Sequence, residues 1–326
     1  MRMRQETVCW IMKIELAKLI VMNRDEFLKK SLLLGLSTTF AASGIASPAR
    51  GSIRQEKTFN LNYAPHAGMF ENHAGKDIID QISFMHDQGF RSLEDNGMMK
   101  RSPEEQSKIG NTLARLGMTM GVFVVEKGGN SANSLAAGKK EYIDIFLKGC
   151  SEAVNVASRV NAKWVTVVPG DFERNLQIGI QTGHVIEALR RGAEILAPHN
   201  IIMVLEPLSD SPNLFLQNAD QTHLICKAVN SPACKILYDI YHMQRNEGQL
   251  ILTMDKCWDE IAYIQIGDNP GRKEPTTGEI NYKNVLKHIY NKGYKGVLGM
   301  EHGNSIKGKE GEEALVRAYR EVDSFM

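Results

Sequence analysis

The sequence predicts an α/β chain, a single-domain (β/α)8 TIM barrel, from three observations. Eight short apolar runs rich in Val, Ile, Phe and Tyr recur between residues 59 and 301. Longer segments with helical spacing separate them, and a repeat of about 30 to 40 residues suits strand, crossover helix and parallel strand. Residues 50–326 number 277, close to the ~250 typical of such a barrel.

The runs lie at 59–64, 90–94, 119–125, 163–168, 201–206, 235–239, 261–266 and 296–301. Each is too short for a stable helix and rich in β-branched or aromatic residues. After the second run, 103–116 places Ile109, Leu113 and Leu116 on one face, with Pro103 suited to a first helical turn. The segments 141–160, 183–197 and 283–291 have the same spacing. Eight such units close into a barrel more readily than they form an open sheet. A doubly wound sheet is the runner-up. It would want a glycine-rich phosphate loop after its first strand, where this chain has Asn62-Tyr63-Ala64-Pro65-His66, so no nucleotide cofactor is expected. Gly128-Gly129-Asn130-Ser131 is a loop within the domain, and Trp164, Phe123 and Tyr238 are expected in the core or its wall.

Residues 1–49 form a separate N-terminal extension. From Met22 a polar, basic opening leads into an apolar stretch near 32–45 and then small residues, the layout of an export signal. The apolar stretch is shorter than the ~20 residues of a stable span, so the mature chain is expected to start near residues 47 to 50, without a membrane span, in the periplasm. The competing expectation is a retained membrane tether. Asn23-Arg24-Asp25-Glu26-Phe27-Leu28-Lys29 resembles a twin-arginine signal, with Asp25 where the second arginine belongs.

Composition narrows the function classes. The 39 basic and 38 acidic side chains leave a formal charge of +1, so no net field draws the chain to nucleic acid. Five cysteines with no CxxC pair argue against a disulfide scaffold and a structural zinc site. A small-molecule partner is the expectation, and a homo-oligomer is compatible with the sequence.

In a barrel the catalytic groups come from the C-terminal ends of strands. Four consecutive runs end in chemistry: the fifth in Glu206, the sixth in Asp239 with His242 three residues on, the seventh in Gln265, and the eighth in Glu301. A single acid there is often a helix N-cap. Several carboxylates at one rim are costly to desolvate unless a cation balances them. Two Glu, one Asp and an amide oxygen suit magnesium or manganese, with zinc or cobalt as alternatives. His66 and Glu94, after the first and second runs, are candidates for the cleft wall.

These residues fall within longer motifs. Leu205-Glu206-Pro207, then Asp239-Ile240-Tyr241-His242-Met243-Gln244, then the stretch from Ile264-Gln265-Ile266-Gly267-Asp268 through Pro270-Gly271-Arg272 to Glu279-Ile280-Asn281-Tyr282 resemble hydroxypyruvate isomerase, of the xylose-isomerase-like barrel superfamily. Gly293-Tyr294-Lys295-Gly296 and Gly299-Met300-Glu301 continue the match. The resemblance implies one divalent metal on Glu206, Asp239, Gln265 and Glu301, with Glu206 and Glu301 also the proton-transfer pair. Related ketose epimerases present a histidine where Gln265 stands. It further implies that His242 and Arg272 contact substrate oxygens, and that the substrate is hydroxypyruvate or a related small α-hydroxy carbonyl compound or sugar, isomerised between aldose and ketose through an enediolate.

Three segments depart from that family: Leu208 to Phe215 after Pro207, Leu93-Glu94-Asp95-Asn96-Gly97 on the second run, and His302-Gly303-Asn304 after Glu301. They alter the pocket wall and leave the ligand set intact. Competing functions are a ketose 3-epimerase, a sugar hydrolase or lyase, and a non-catalytic sugar-binding barrel. DNA-repair relatives rely on a richer histidine set and a basic groove, neither of which is evident in this chain.

Overall fold

A computed structural model describes residues 58–326. The expected export signal and the extension before it lie outside the described residues, as does Cys9. Among the described residues the four other cysteines are buried free thiols, and no helix is long and apolar enough to cross a membrane.

The elements in order are β1 (Asn62–Pro65), α1 (Glu71–Ala74), α2 (Ile78–Asp87), β2 (Ser92–Leu93), α3 (Pro103–Leu116), β3 (Thr119–Met120), β4 (Phe123–Val124), α4 (Lys140–Val160), β5 (Trp164–Val167) and α5 (Ile178–Leu196). There follow β6 (Ile202–Leu205), α6 (Ala219–Val229), β7 (Cys234–Asp239), α7 (Ile240–Asn246), α8 (Leu250–Lys256), β8 (Ile261–Gln265), α9 (Tyr282–Asn291), β9 (Val297–Met300) and α10 (Gly308–Val322). Every strand pairing within the two sheets is parallel, in the order β1-β9-β8-β7-β6-β5-β4 with β2-β3 apart. A parallel bridge from His66 to Glu94 joins β1 to β2.

The eight expected runs are all strands, and the third is broken into β3 and β4. The interruption has a local cause. A Cβ on Gly121 would fall 2.4 Å from the Tyr263 hydroxyl and 3.1 Å from the Leu93 carbonyl. That hydroxyl takes the Val122 N–H at 3.4 Å where a ladder partner would otherwise stand. Glycine is what lets the tyrosine approach the backbone.

Helix ends follow their sequence signals. Ser102 and Glu105 form a capping box at α3, with Pro103 in the first turn and Gly117 left-handed at the far end. The expected helix at 183–197 starts earlier, at Ile178, and runs to Leu196. The short α7 and α8 follow β7 with no long loop between.

Two apolar layers result. Ala64, Val122, Trp164, Val204, Leu237, Tyr263 and Val297 pack together as one cluster, drawn from seven different strand runs and thus filling the barrel interior. A larger cluster, including Phe123 and Tyr238, packs between strands and helices. Side chains alternate faces along a strand, so two residues beyond Val204, Leu237 and Tyr263 the chain turns Glu206, Asp239 and Gln265 toward the same lumen, at its open end. The inner layer thus fixes the direction of the polar one.

Candidate active site

The expected residues converge at the C-terminal mouth. Glu206 and Glu301 directly follow β6 and β9, while Asp239 and Gln265 end β7 and β8, so four neighbouring strands each deliver one oxygen-bearing side chain. Carboxylate or imidazole atoms of Glu206, Asp239, His242 and Glu301 all lie within 4.8 Å of one another. Glu206, Asp239, His242 and Gln265 are buried, and Glu301 keeps 21% of its side chain exposed.

Asp239 is both things that its position allowed. Its Oδ1 caps α7, accepting the N–H groups of Tyr241 at 2.7 Å and His242 at 3.3 Å. Its Oδ2 has no hydrogen-bond partner.

Gln265 is oriented from across the barrel. Its Nε2 donates to Glu94 Oε1 at 2.8 Å, and the other Glu94 oxygen accepts the Tyr263 hydroxyl at 2.7 Å. A carboxylate only accepts, so the amide nitrogen must face Glu94 and the amide oxygen must face away. His66 Nε2 is buried 3.1 Å from Glu94 Oε1, while the His66 side chain as a whole keeps 23% exposure. Glu94 itself is fully buried, so it orients its neighbours and does not form the cleft wall. Gly299 makes the room, because a Cβ there would sit 1.8 Å from Glu94 Oε2.

Glu301 is held between two donors. Asn96 Nδ2 gives one hydrogen bond to Oε1 at 2.8 Å, and Arg272 Nη2 gives one to Oε2 at 2.9 Å. The guanidinium lies over the Tyr241 ring at 5.1 Å and reaches Asp239 Oδ2 at 3.8 Å and Asp210 at 3.7 Å.

His242 Nδ1 accepts the Ser209 N–H at 3.1 Å, with the Ser209 hydroxyl at 2.7 Å. In the neutral ring this assigns the proton to Nε2. Burial and then the Arg272 charge push the imidazole pKa down to about 4, which keeps it neutral. Nε2 and Arg272 Nη2 stand 3.2 Å apart. Two donors so placed do not bond each other; both lie near Asp239 Oδ2, at 3.6 Å from Nε2 and 3.8 Å from Nη2.

The acids show the opposite strain. Burial, followed by the charges of Glu301 and Asp239, pushes Glu206 well above the usual carboxylate range. Burial raises Glu301 to about 7 and Asp239 to about 6, with Arg272 opposing in both. Carboxylates crowded like this share protons or a cation. Among the described residues, four buried side-chain oxygens of this mouth lack a hydrogen-bond partner: Glu206 Oε1, Asp239 Oδ2, Gln265 Oε1 and Asn96 Oδ1. Three orphaned oxygens from separate strands, all hard donors, fit a magnesium- or manganese-like ion.

Sequence reasoning did not find Asn96, Ser209 or Tyr263. Tyr263 alone left a signal, because it sits two residues before Gln265 and must share its face. The Asn96 and Ser209 contacts span 205 and 33 positions and leave no local pattern.

With this geometry in place, known proteins fall alongside it. Residues 82–322 match the sequence model of the family described as xylose isomerase-like TIM barrel. The chain belongs to that family. Hydroxypyruvate isomerase of Escherichia coli (strain K12) is 36% identical over 159 residues, covering 48% of this chain and 62% of that protein. The chain thus spans less than two thirds of that relative's length. The 2-oxo-tetronate isomerase of Cupriavidus necator is 26% identical over 72% of this chain and 89% of its own. Among solved structures, 3-keto-D-glucoside 4-epimerase from E. coli superposes with a TM-score of 0.68 at 15% identity, over 80% of this chain and 98% of that one. That likeness is one of fold.

Proposed function

We propose that the protein is a metal-dependent isomerase that interconverts aldose and ketose forms of hydroxypyruvate or a related small α-hydroxy carbonyl compound. The observation that carries the reading is the arc of four donors with an acid at each end. Glu206 and Glu301 flank Asp239 and Gln265 on adjacent strands, so a substrate seated over the arc meets a carboxylate on either side.

A divalent cation held by Glu206, Asp239, Gln265 and Glu301 would supply Lewis-acid polarisation of the substrate carbonyl and its neighbouring hydroxyl. The chain's own groups do the rest. One end carboxylate removes the proton from the carbon beside the carbonyl, leaving an enediolate, and its raised affinity for protons lets it hold what it takes. Return of a proton to the adjacent carbon, with the hydroxyl proton passing to the former carbonyl oxygen, completes the isomerisation. His242 Nε2–H and the Arg272 guanidinium offer their hydrogens to one substrate oxygen and balance charge that builds on it. Asn96 and Arg272 fix the Glu301 carboxyl plane. A ketose 3-epimerase is the second reading: it needs the same pair, with the proton returned to the opposite face of the carbon it left.

Proton–deuterium exchange followed by NMR in heavy water tests the proposal. Exchange into hydroxypyruvate, tartronate semialdehyde or a ketose, abolished by chelator and by Glu301→Gln, is the expected result. Absence of exchange with metal demonstrably bound would move the assignment to a hydrolase, a lyase or a binding protein. The signal-like segment supports a second part of the reading, export to the periplasm with removal of residues 1–49. N-terminal sequencing of the fractionated protein checks it, and a species that retains residue 22 would contradict it.

A further inference from the structure

Beyond the four donors, a cleft of about 610 Å3 opens outward from Arg272 and Glu301. Its outer walls are the turn after β1 with α1, carrying Glu71 and Asn72, and the loop after β9, carrying His302 and Asn304. At ~30 Å3 per water molecule this is room for about twenty waters, far more than a three-carbon hydroxy acid displaces. Clefts of about 300–1,000 Å3 enclose ligands of much larger size.

Both walls are built in place by buried carboxylates. Glu312, only 1% exposed, accepts the Asn72 N–H at 2.7 Å, Asn72 Nδ2 at 2.8 Å and the His73 N–H at 3.0 Å, with His73 Nδ1 at 2.6 Å. Glu274, 2% exposed, accepts the Ser305 N–H at 2.8 Å and the Ser305 hydroxyl. The Gly303 N–H donates to the Arg272 carbonyl at 3.1 Å, and His302 Nε2 pairs with the Tyr319 hydroxyl at 2.8 Å. Two loops at the ends of different strands are therefore pinned open before any ligand arrives, which lowers the ordering cost of binding.

The groups left over define the ligand's chemistry. Among the described residues, the side chains of Glu71 and Asn304 and the Oδ1 of Asn72 have no hydrogen-bond partner. All three are suited to hydroxyl groups. Glu71 adds a negative charge, and the one guanidinium lining the cleft is already engaged by Glu301. The Lys273 ammonium comes within 2.9 Å of where a Cβ on Gly303, a lining residue, would stand, and offsets the Glu71 charge. With Arg272 paired to Glu301 and Lys273 offsetting Glu71, no net charge is left over to select an anion, and an uncharged polyol would meet acceptors and donors.

We infer that this cleft is a subsite for an uncharged, hydroxyl-rich group, such as a glycosyl ring, attached to the substrate beyond its reacting α-hydroxy carbonyl. The inference rests on the proposed isomerase for the reacting end only. It makes the preferred substrate a neutral sugar derivative larger than hydroxypyruvate.

Four compounds test it with the metal-loaded protein: dihydroxyacetone, a free ketohexose, a ketose bearing a glycosyl ring on the hydroxyl farthest from its carbonyl, and the matching ketose phosphate. Deuterium exchange gives kcat/KM, and saturation transfer from protein to ligand protons gives the bound epitope. The glycosyl ketose should exceed the free ketose by about tenfold in kcat/KM, worth ~1.4 kcal/mol, and its glycosyl protons should be saturated. Asn304→Trp, which fills the cleft, should bring that ratio close to one and remove the glycosyl signals; Asn72→Ala serves if the tryptophan variant does not fold. Preference for the phosphate, a wild-type ratio at or below one, or a ratio untouched by the variants overturns the subsite. If no compound exchanges, the isomerase proposal fails by itself, and the glycosyl saturation signals still decide the subsite by their presence or absence.

Discussion

The arc from β6 to β9 and the arc from β2 to β4 share one barrel and are built on different plans. The first has strands of four to six residues in continuous register, apart from one shift in β7. The second is three pieces of two residues each, broken at Gly121. The regular arc carries all four candidate ligands. The irregular arc carries the groups that aim them: Glu94 reaches across to Gln265 and Tyr263, and Asn96 reaches Glu301. Regular ladders set a side chain's direction to within a strand's pleat. The final rotation of an amide or carboxyl plane needs a hydrogen bond from elsewhere, and loosely paired backbone is free to supply it.

Removing chemistry from the regular arc should produce the largest effect. Glu301→Gln keeps the shape and removes the proton acceptor, so turnover should fall by about 10²–10⁴, with circular dichroism unchanged. Retention of normal turnover would exclude Glu301 from proton transfer. A change on the irregular arc should come next. Glu94→Gln replaces an obligate acceptor by an amide and leaves Gln265 without a fixed orientation; calorimetric titration with manganese should show affinity weaker by about 10–100-fold. Equal affinity would mean that Gln265 needs no orienting partner. Asn96→Ala should be milder, lowering kcat by about tenfold with little change in KM, because it frees the Glu301 carboxyl plane and leaves the carboxylate present. A rise in KM at constant kcat would instead make Asn96 a substrate contact.

The smallest effect is one of pH on stability. In the metal-free site burial raises Glu301 from 4.5 to about 7 and Asp239 from 3.8 to about 6. The folded protein then binds more protons than the unfolded chain across that window. Stability from these acids is complete below their unfolded pKa values and is lost as pH rises through about 6 to 7. Thermal midpoints of chelator-treated protein should therefore decline between pH 5 and 8, and the decline should be shallower in Glu301→Gln. A wild-type slope equal to the variant's would remove Glu301 as its source.

The same division explains what could be read in advance. Glu206, Asp239, Gln265 and Glu301 were legible because each ends an apolar run, and strand periodicity turns each toward the lumen beyond an apolar neighbour. The eight strand runs were legible for the same reason, and α3 through its capping residues. The orienting roles of Glu94 and Asn96 were not, since they depend on which strands meet across the lumen. The break in the third run was equally hidden, because it is caused by Tyr263, 141 positions from Val122. The short α7 escaped notice because its cap is the last residue of a strand.

That cap has a consequence for how such a barrel can change. Asp239 fastens the start of α7 with one oxygen and turns the other to the mouth, and α7 carries His242. Strand end, helix start and imidazole therefore move as a single cassette. An insertion between β7 and α7 would dislodge three parts at once, whereas the loop after β1, and the loop after β9 beyond Glu301, can lengthen or shorten with the donors undisturbed. Drift, or a designer, is left with those two loops as the place to exchange one substrate for another.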